Sequence, residues 1–170
     1  MPYSLDVGKR EVVRWVRQHF ELGETCLDVG AGSGTWGQLL GGYLEMDAVE
    51  IFWPNVQKFR LPELYSEVVV GDIADFQYFH YDLIIFGDVI EHMTVEKARK
   101  VLEYAIQRCK DLIVAVPFLY PQGPADGNEY ERHIQDDLTP ELVAQLYPML
   151  ELLHDTGTGY AYYHKAGAPK

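Results

Sequence analysis

Three glycines at alternate positions, Gly30, Gly32 and Gly34, follow a short apolar run of β character that carries Asp28 near its end. Glycine in such a loop takes positive φ in a tight turn, or leaves bare main chain for a ligand to lie against. The spacing selects the ligand. A dinucleotide fingerprint needs its last glycine at the position held here by Thr35. Two further acids close strand-like runs, Glu50 after Asp47-Ala48-Val49 and Asp72 after Gly71. A carboxylate offers two acceptor oxygens to two adjacent donors, which suits a nucleoside without naming which one. The plainer role of Asp72 is a cap for a helix beginning at Ala74.

Chemistry at a second place is suggested by His92, directly after an apolar run, and by Tyr120, Tyr130 and His133 in a polar stretch. An imidazole at such a rim is a candidate general base. Here His92 is the candidate base and His133 the candidate substrate contact, with a catalytic role for either. The alternatives are packing at a helix start for His92 and a solvated loop covering the sheet edge for the others. Histidines at 19, 80, 92, 133, 154 and 164 contain no H-x-x-x-H or comparable pair, so spacing points to no metal.

Strand and helix patterns alternate along the chain, the signature of βαβ units on a parallel sheet. An N-terminal segment, 1–22, has Val12, Val13, Trp15, Val16 and Phe20 at helical spacing. Strands are expected at 25–29, 46–50 and 67–71, with helices at about 36–43 and 54–59 between them. Leu83-Ile84-Ile85-Phe86 is apolar throughout, as a central strand covered on both faces must be. A long helix starts near Thr94, and a fifth strand at 112–116 is stopped by Pro117. Residues 118–138 form a long loop on the substrate side. Thr139-Pro140-Glu141 then supplies a cap, a first-turn proline and a first-turn acid. Two runs around Asp155-Thr156-Gly157-Thr158-Gly159 read as an antiparallel hairpin.

At 170 residues the chain is long enough for one domain that buries about two thirds of its unfolded surface. The net charge of −12 and the scatter of basic residues argue against nucleic acid as partner and mildly for a neutral or cationic small substrate. No apolar run approaches the roughly 18 residues of a membrane span. The N-terminus lacks a basic region followed by an apolar one, so no secretory signal is expected. Cys26 and Cys109, in apolar contexts, read as small buried hydrophobes of a reducing compartment, which implies a cytoplasmic protein. A monomer or homodimer is expected, with Tyr160, Tyr162 and Tyr163 either a candidate dimer edge or buried within the sheet.

Residues 27–34, Glu50-Ile51, Gly71-Asp72-Ile73 and Phe86-Gly87-Asp88-Val89-Ile90-Glu91-His92-Met93 together resemble the motifs of class I S-adenosylmethionine-dependent methyltransferases of small-molecule type. The resemblance implies an α/β three-layer sandwich, with a mostly parallel seven-stranded sheet, a C-terminal antiparallel hairpin and helices on both faces. It implies S-adenosyl-L-methionine as cofactor. Gly30, Ala31, Gly32 and Gly34 would then wrap the methionine end, and Asp28 would reach its ammonium group, directly or through water. Glu50 would hold the ribose hydroxyls, and Ile51 would pack on the adenine. Asp72 and the backbone of Ile73 would meet the adenine edge, and carbonyls at Phe86 and Gly87 the methionine amine. Trp36 and Tyr3 would close over the cofactor; the alternatives are a core position for Trp36 and a disordered terminus for Tyr3. The implied reaction is methyl transfer to an oxygen or nitrogen of a small acceptor. The alternative is a non-catalytic S-adenosylmethionine-binding module or subunit of a larger assembly. Base methylation is disfavoured: no (Asn/Asp)-Pro-Pro-Tyr occupies 87–90, and no Pro-Cys is present.

Overall fold

The wholly apolar run becomes the centre of the sheet. In a computed structural model, which describes residues 7–77, 79–125 and 127–166, β4 (Tyr81–Gly87) is buried along its whole length. It pairs in parallel with β1 (Thr25–Val29) on one side and β5 (Cys109–Pro117) on the other. β2 (Glu45–Glu50) and β3 (Val68–Val70) extend the β1 side. β7 (Tyr160–Ala166) runs antiparallel beside β5 and carries β6 (Glu151–Asp155) at the edge. The order β3-β2-β1-β4-β5-β7-β6 is thus a mostly parallel seven-stranded sheet ending in an antiparallel hairpin.

Alternation along the strands sends successive side chains to opposite faces, and each face has its own core. Ile84, Phe86, Leu112 and Val114 meet α4 (Val95–Ile106) and α5 (Pro140–Leu146) on one face. Cys26, Leu83, Ile85 and Ile113 meet α1 (Lys9–His19), α2 (Thr35–Leu40) and α3 (Trp53–Lys58) on the other. The three layers follow directly. The cap expected at Thr139 is present, its hydroxyl accepting from Leu142 N–H, and the Thr94 hydroxyl caps α4 in the same way by accepting from Lys97 N–H.

Both cysteines are buried and free. Tyr160, Tyr162 and Tyr163 are not a dimer edge. They lie within the chain, at most 5% exposed, because β7 sits between β5 and β6 rather than outside them. Tyr3, with the rest of 1–6, lies outside the described residues. Among the described residues no helix is long and apolar enough to cross a membrane.

Candidate functional site

The strand order reverses between β1 and β4, and an open cavity lies beyond the carboxyl ends of these strands. Loops on either side of such a point run to opposite faces of the sheet and part, which leaves a crevice. The lining brings together Gly30, Ala31 and Gly32 after β1, Glu50 and Ile51 at the end of β2, Asp72 and Ile73 after β3, and Gly87 at the end of β4. Trp36 lines it too, although it is almost wholly buried in the core of the α1–α3 face. A Cβ on Gly87 would come within 2.5 Å of Trp36 Nε1, so this indole reaches the rim only because residue 87 has no side chain.

Asp28, Gly34 and Phe86 are not among the residues that line the cavity. Asp28 shares a strand face with Cys26 and points into the α1–α3 layer. There its Oδ2 accepts from the Tyr65 hydroxyl at 2.5 Å, and that hydroxyl accepts from Gly37 N–H at 3.1 Å. Burial, opposed mainly by this hydrogen bond, pushes the Asp28 carboxyl up to about 7. Gly34 caps α2 at φ 77°, with Leu64 where a Cβ would stand. The Phe86 side chain is wholly buried in the opposite core.

Glu50 and Asp72 line the cavity with their oxygens already engaged. Glu50 accepts from Gly32 N–H and Phe52 N–H, both at 2.8 Å, and so holds the glycine loop in shape. Burial raises its pKa against these two amides. Each oxygen keeps a second lone pair for a ligand hydroxyl. Asp72 caps Ala74 N–H at 2.9 Å and also pairs with Lys97 Nζ at 2.6 Å. Burial pushes the Asp72 carboxyl up, but Lys97 and the Ala74 amide outweigh it and hold the group below its usual range.

His92, His133, Tyr120 and Tyr130 line the same cavity. Residues 118–138 reach it because they are stitched to the turn after β4. Ile134 and Gln135 N–H both donate to Glu91 O. The buried Gln135 side chain donates to Ile90 O and Met93 O and accepts from the Tyr147 hydroxyl. His92 then stands 4.7 Å from His133, ring centre to ring centre. Nδ1 of His92 meets Arg132 O at 3.1 Å, and Nδ1 of His133 meets Tyr120 O at 2.6 Å. A carbonyl only accepts, so each Nδ1 carries the proton and each Nε2 presents a lone pair. Burial is the main influence on both rings and lowers their pKa values.

Beside them Glu91 is wholly buried, and neither carboxylate oxygen has a hydrogen-bond partner in the protein. Burial, and then the charge of Asp88, raise its pKa well above the carboxylate range. Asp88 takes left-handed backbone at φ 58°, accepts from the Tyr160 hydroxyl at 2.5 Å, and leaves Oδ2 without a partner. Non-glycine residues in this region store strain and collect at functional sites. One ligand atom from each of Glu91, His92 and His133 falls within 4.8 Å of the others. Spacing alone could not show this trio, since His133 comes from another element. Asp88 and Glu91 were visible within the motif around His92, whereas Lys97, Gln135 and Tyr160 carry no local signal.

No protein-family model and no curated protein sequence matches the chain. Solved structures do. An S-adenosylmethionine-dependent methyltransferase from Clostridium acetobutylicum ATCC 824 superposes with a TM-score of 0.70 at 15% identity, over 96% of this chain and 93% of its own. DhpI in complex with SAH gives 0.73 at 13% identity, over 96% and 85%. Magnesium protoporphyrin IX methyltransferase (ChlM) from Synechocystis PCC 6803, with bound SAM, gives 0.67 at 14%, over 94% and 77%. The chain has the seven-stranded fold of these class I methyltransferases.

Proposed function

We propose that this chain is an S-adenosylmethionine-dependent methyltransferase acting on an oxygen or nitrogen of a small molecule. One observation carries the reading: the glycine loop, two strand-end carboxylates and a pair of histidines line a single cavity at the switch point of the sheet. Neighbours of the same fold that hold SAM or SAH support the choice of cofactor.

Methyl transfer from a sulfonium is a direct displacement with a good leaving group already in place. The protein has to align acceptor, methyl carbon and sulfur, and to exclude water. In this reading Gly30, Ala31, Gly32 and the Gly87 carbonyl hold the methionine portion. Glu50 accepts from the ribose through its remaining lone pairs, Ile51 and Ile73 enclose the adenine, and Asp72 meets its edge. Asp28 acts through Tyr65 as a positioning residue for the first turn of α2. Tyr120, Tyr130 and His133 hold the acceptor. As the new bond to carbon forms, the acceptor's proton passes to Nε2 of His92.

Titration calorimetry with S-adenosylhomocysteine and with NAD tests the cofactor. S-adenosylhomocysteine should bind and NAD should not; preferential binding of NAD ends this reading. A screen of small acceptors, read by release of S-adenosylhomocysteine, tests turnover. Product release with no acceptor present, unchanged in His92→Ala, would instead mark a module that binds the cofactor without using it.

A further inference from the structure

We propose that Glu91, His92 and His133 form a binding site for a divalent transition-metal ion in the histidine half of the cavity. Two independent observations converge on it. The first is the donor set: one carboxylate and two imidazoles offer ligand atoms within 4.8 Å of one another. In both rings Nδ1 meets a backbone carbonyl, the partner that fixes the tautomer of metal-ligating histidines and leaves Nε2 as the atom with a lone pair to give. The second is Glu91 itself, wholly buried, lining the cavity, and without a hydrogen-bond partner on either oxygen. A buried carboxylate that lacks donors is costly unless it takes up a proton or a positive charge meets it. Neither oxygen has a hydrogen-bond donor from a Lys or Arg, and a cation held by the neighbouring imidazoles would supply that charge. The partnerless Oδ2 of Asp88 adds a second acidic group to the rim.

Mixed nitrogen and oxygen donors suit Mn²⁺, Fe²⁺, Co²⁺ or Zn²⁺ better than Mg²⁺ or Ca²⁺, which favour oxygen alone. Three protein ligands leave positions open to a molecule in the cavity. The site stands on its own geometry, whereas its use rests on the methyl-transfer reading. There, a hydroxyl of the acceptor coordinates the ion and loses its proton to solvent, because the cation lowers its pKa. The oxygen lone pair then forms the bond to the methyl carbon. The carbon–sulfur bond breaks with its electron pair going to sulfur, leaving a neutral thioether. The ion takes over the part assigned above to a free His92 nitrogen, and the acceptor becomes an oxygen rather than a nitrogen compound.

The test is titration of the tag-free, chelator-stripped chain with Co²⁺, followed by visible absorption, and with Zn²⁺ by calorimetry. We expect a single site. His133→Ala and Glu91→Gln should each weaken it by more than the roughly 10- to 100-fold typical of losing an outer-shell partner. S-adenosylhomocysteine binding, measured on the same samples, should survive in both variants and reports that they are folded. Absence of a site in the wild-type chain, or a site that neither variant weakens, overturns the proposal. If Co²⁺ binds as expected but S-adenosylhomocysteine does not, the metal site stands and the methyl-transfer reading fails.

Discussion

In the glycine-loop half of the cavity both oxygens of Glu50 and of Asp72 meet donors from the protein, whereas in the histidine half neither oxygen of Glu91 does. The first half is shaped before any ligand arrives, by carboxylates that hold its own main chain. The second keeps lone pairs on one buried acid and two imidazoles, so it is completed by something that brings positive charge or a proton. The difference in wiring also separates what each half depends on. One is set by loops that directly follow strands, the other by a long segment fastened across the turn after β4.

The fastening can be cut. Gln135→Leu keeps an apolar filling but removes donors to Ile90 O and Met93 O and an acceptor for Tyr147. Loss of these buried bonds should lower unfolding free energy by about 2–4 kcal/mol, read by chemical denaturation. The folded variant should lose Co²⁺ affinity, because His133 is no longer held near His92, while its affinity for S-adenosylhomocysteine stays. If both affinities fell together, the two halves would not be separately built.

Glu50→Ala probes the opposite half. It removes the acceptor of Gly32 N–H and Phe52 N–H together with the ribose contact proposed here. Calorimetry should show S-adenosylhomocysteine binding weakened by on the order of 1–3 kcal/mol, with Co²⁺ binding unaltered. An unchanged affinity would mean that the nucleoside does not lie against β2.

This division explains how much of the molecule was legible in the chain alone. The strands, their order of appearance, the Thr139 cap and the terminal hairpin follow from periodicity and turn chemistry, which are local. The lining residues of the glycine-loop half are likewise short motifs at strand ends. Asp28 is the exception in its surroundings. It belongs to the same motif, but its position in the alternation of β1 turns it toward Tyr65, whose own place near Gly37 no spacing rule supplies. The trio of Glu91, His92 and His133 depends on Gln135 and on two amide bonds to Glu91 O, contacts between distant parts of the chain. Search rules for metal ligands read neighbours in sequence, so they pass over it. The tyrosines of β7 showed the same limit, being apolar enough for an edge or an interior and placed by the pairing of β6.

Asp28 gives a smaller effect, in pH rather than affinity. Its carboxyl titrates near 7 in the folded chain and near 4 when unfolded. Between these values the folded chain holds a proton that the unfolded chain has released, so stability falls as pH rises. The fall levels off above about 7. Asp28→Asn keeps an acceptor for the Tyr65 hydroxyl and removes the titration. From about pH 5 to 6.5 the wild-type chain should lose on the order of 1–2 kcal/mol relative to the variant. Glu91 is raised in the same direction and affects both proteins, so the difference between them isolates Asp28. Parallel curves would show that Asp28 is ionised throughout.

The smallest expected effect lies at the pair of Lys97 and Asp72, where the comparison is sharpest. Both side chains are partly exposed, 39% and 29%, so the ion pair itself should contribute less than about 1 kcal/mol to stability. Lys97→Met should therefore leave the denaturation midpoint almost unmoved. It also leaves the Asp72 carboxylate in place, capped on Ala74 N–H and free on its other oxygen. If that carboxylate is what the adenine edge meets, S-adenosylhomocysteine should bind Lys97→Met at least as well as the wild-type chain, and Asp72→Ala more weakly. Equal losses in the two variants would make the ion pair, rather than the acid, the feature the ligand needs. The glycine-loop half would then also depend on a contact from α4, and the contrast with the histidine half would narrow.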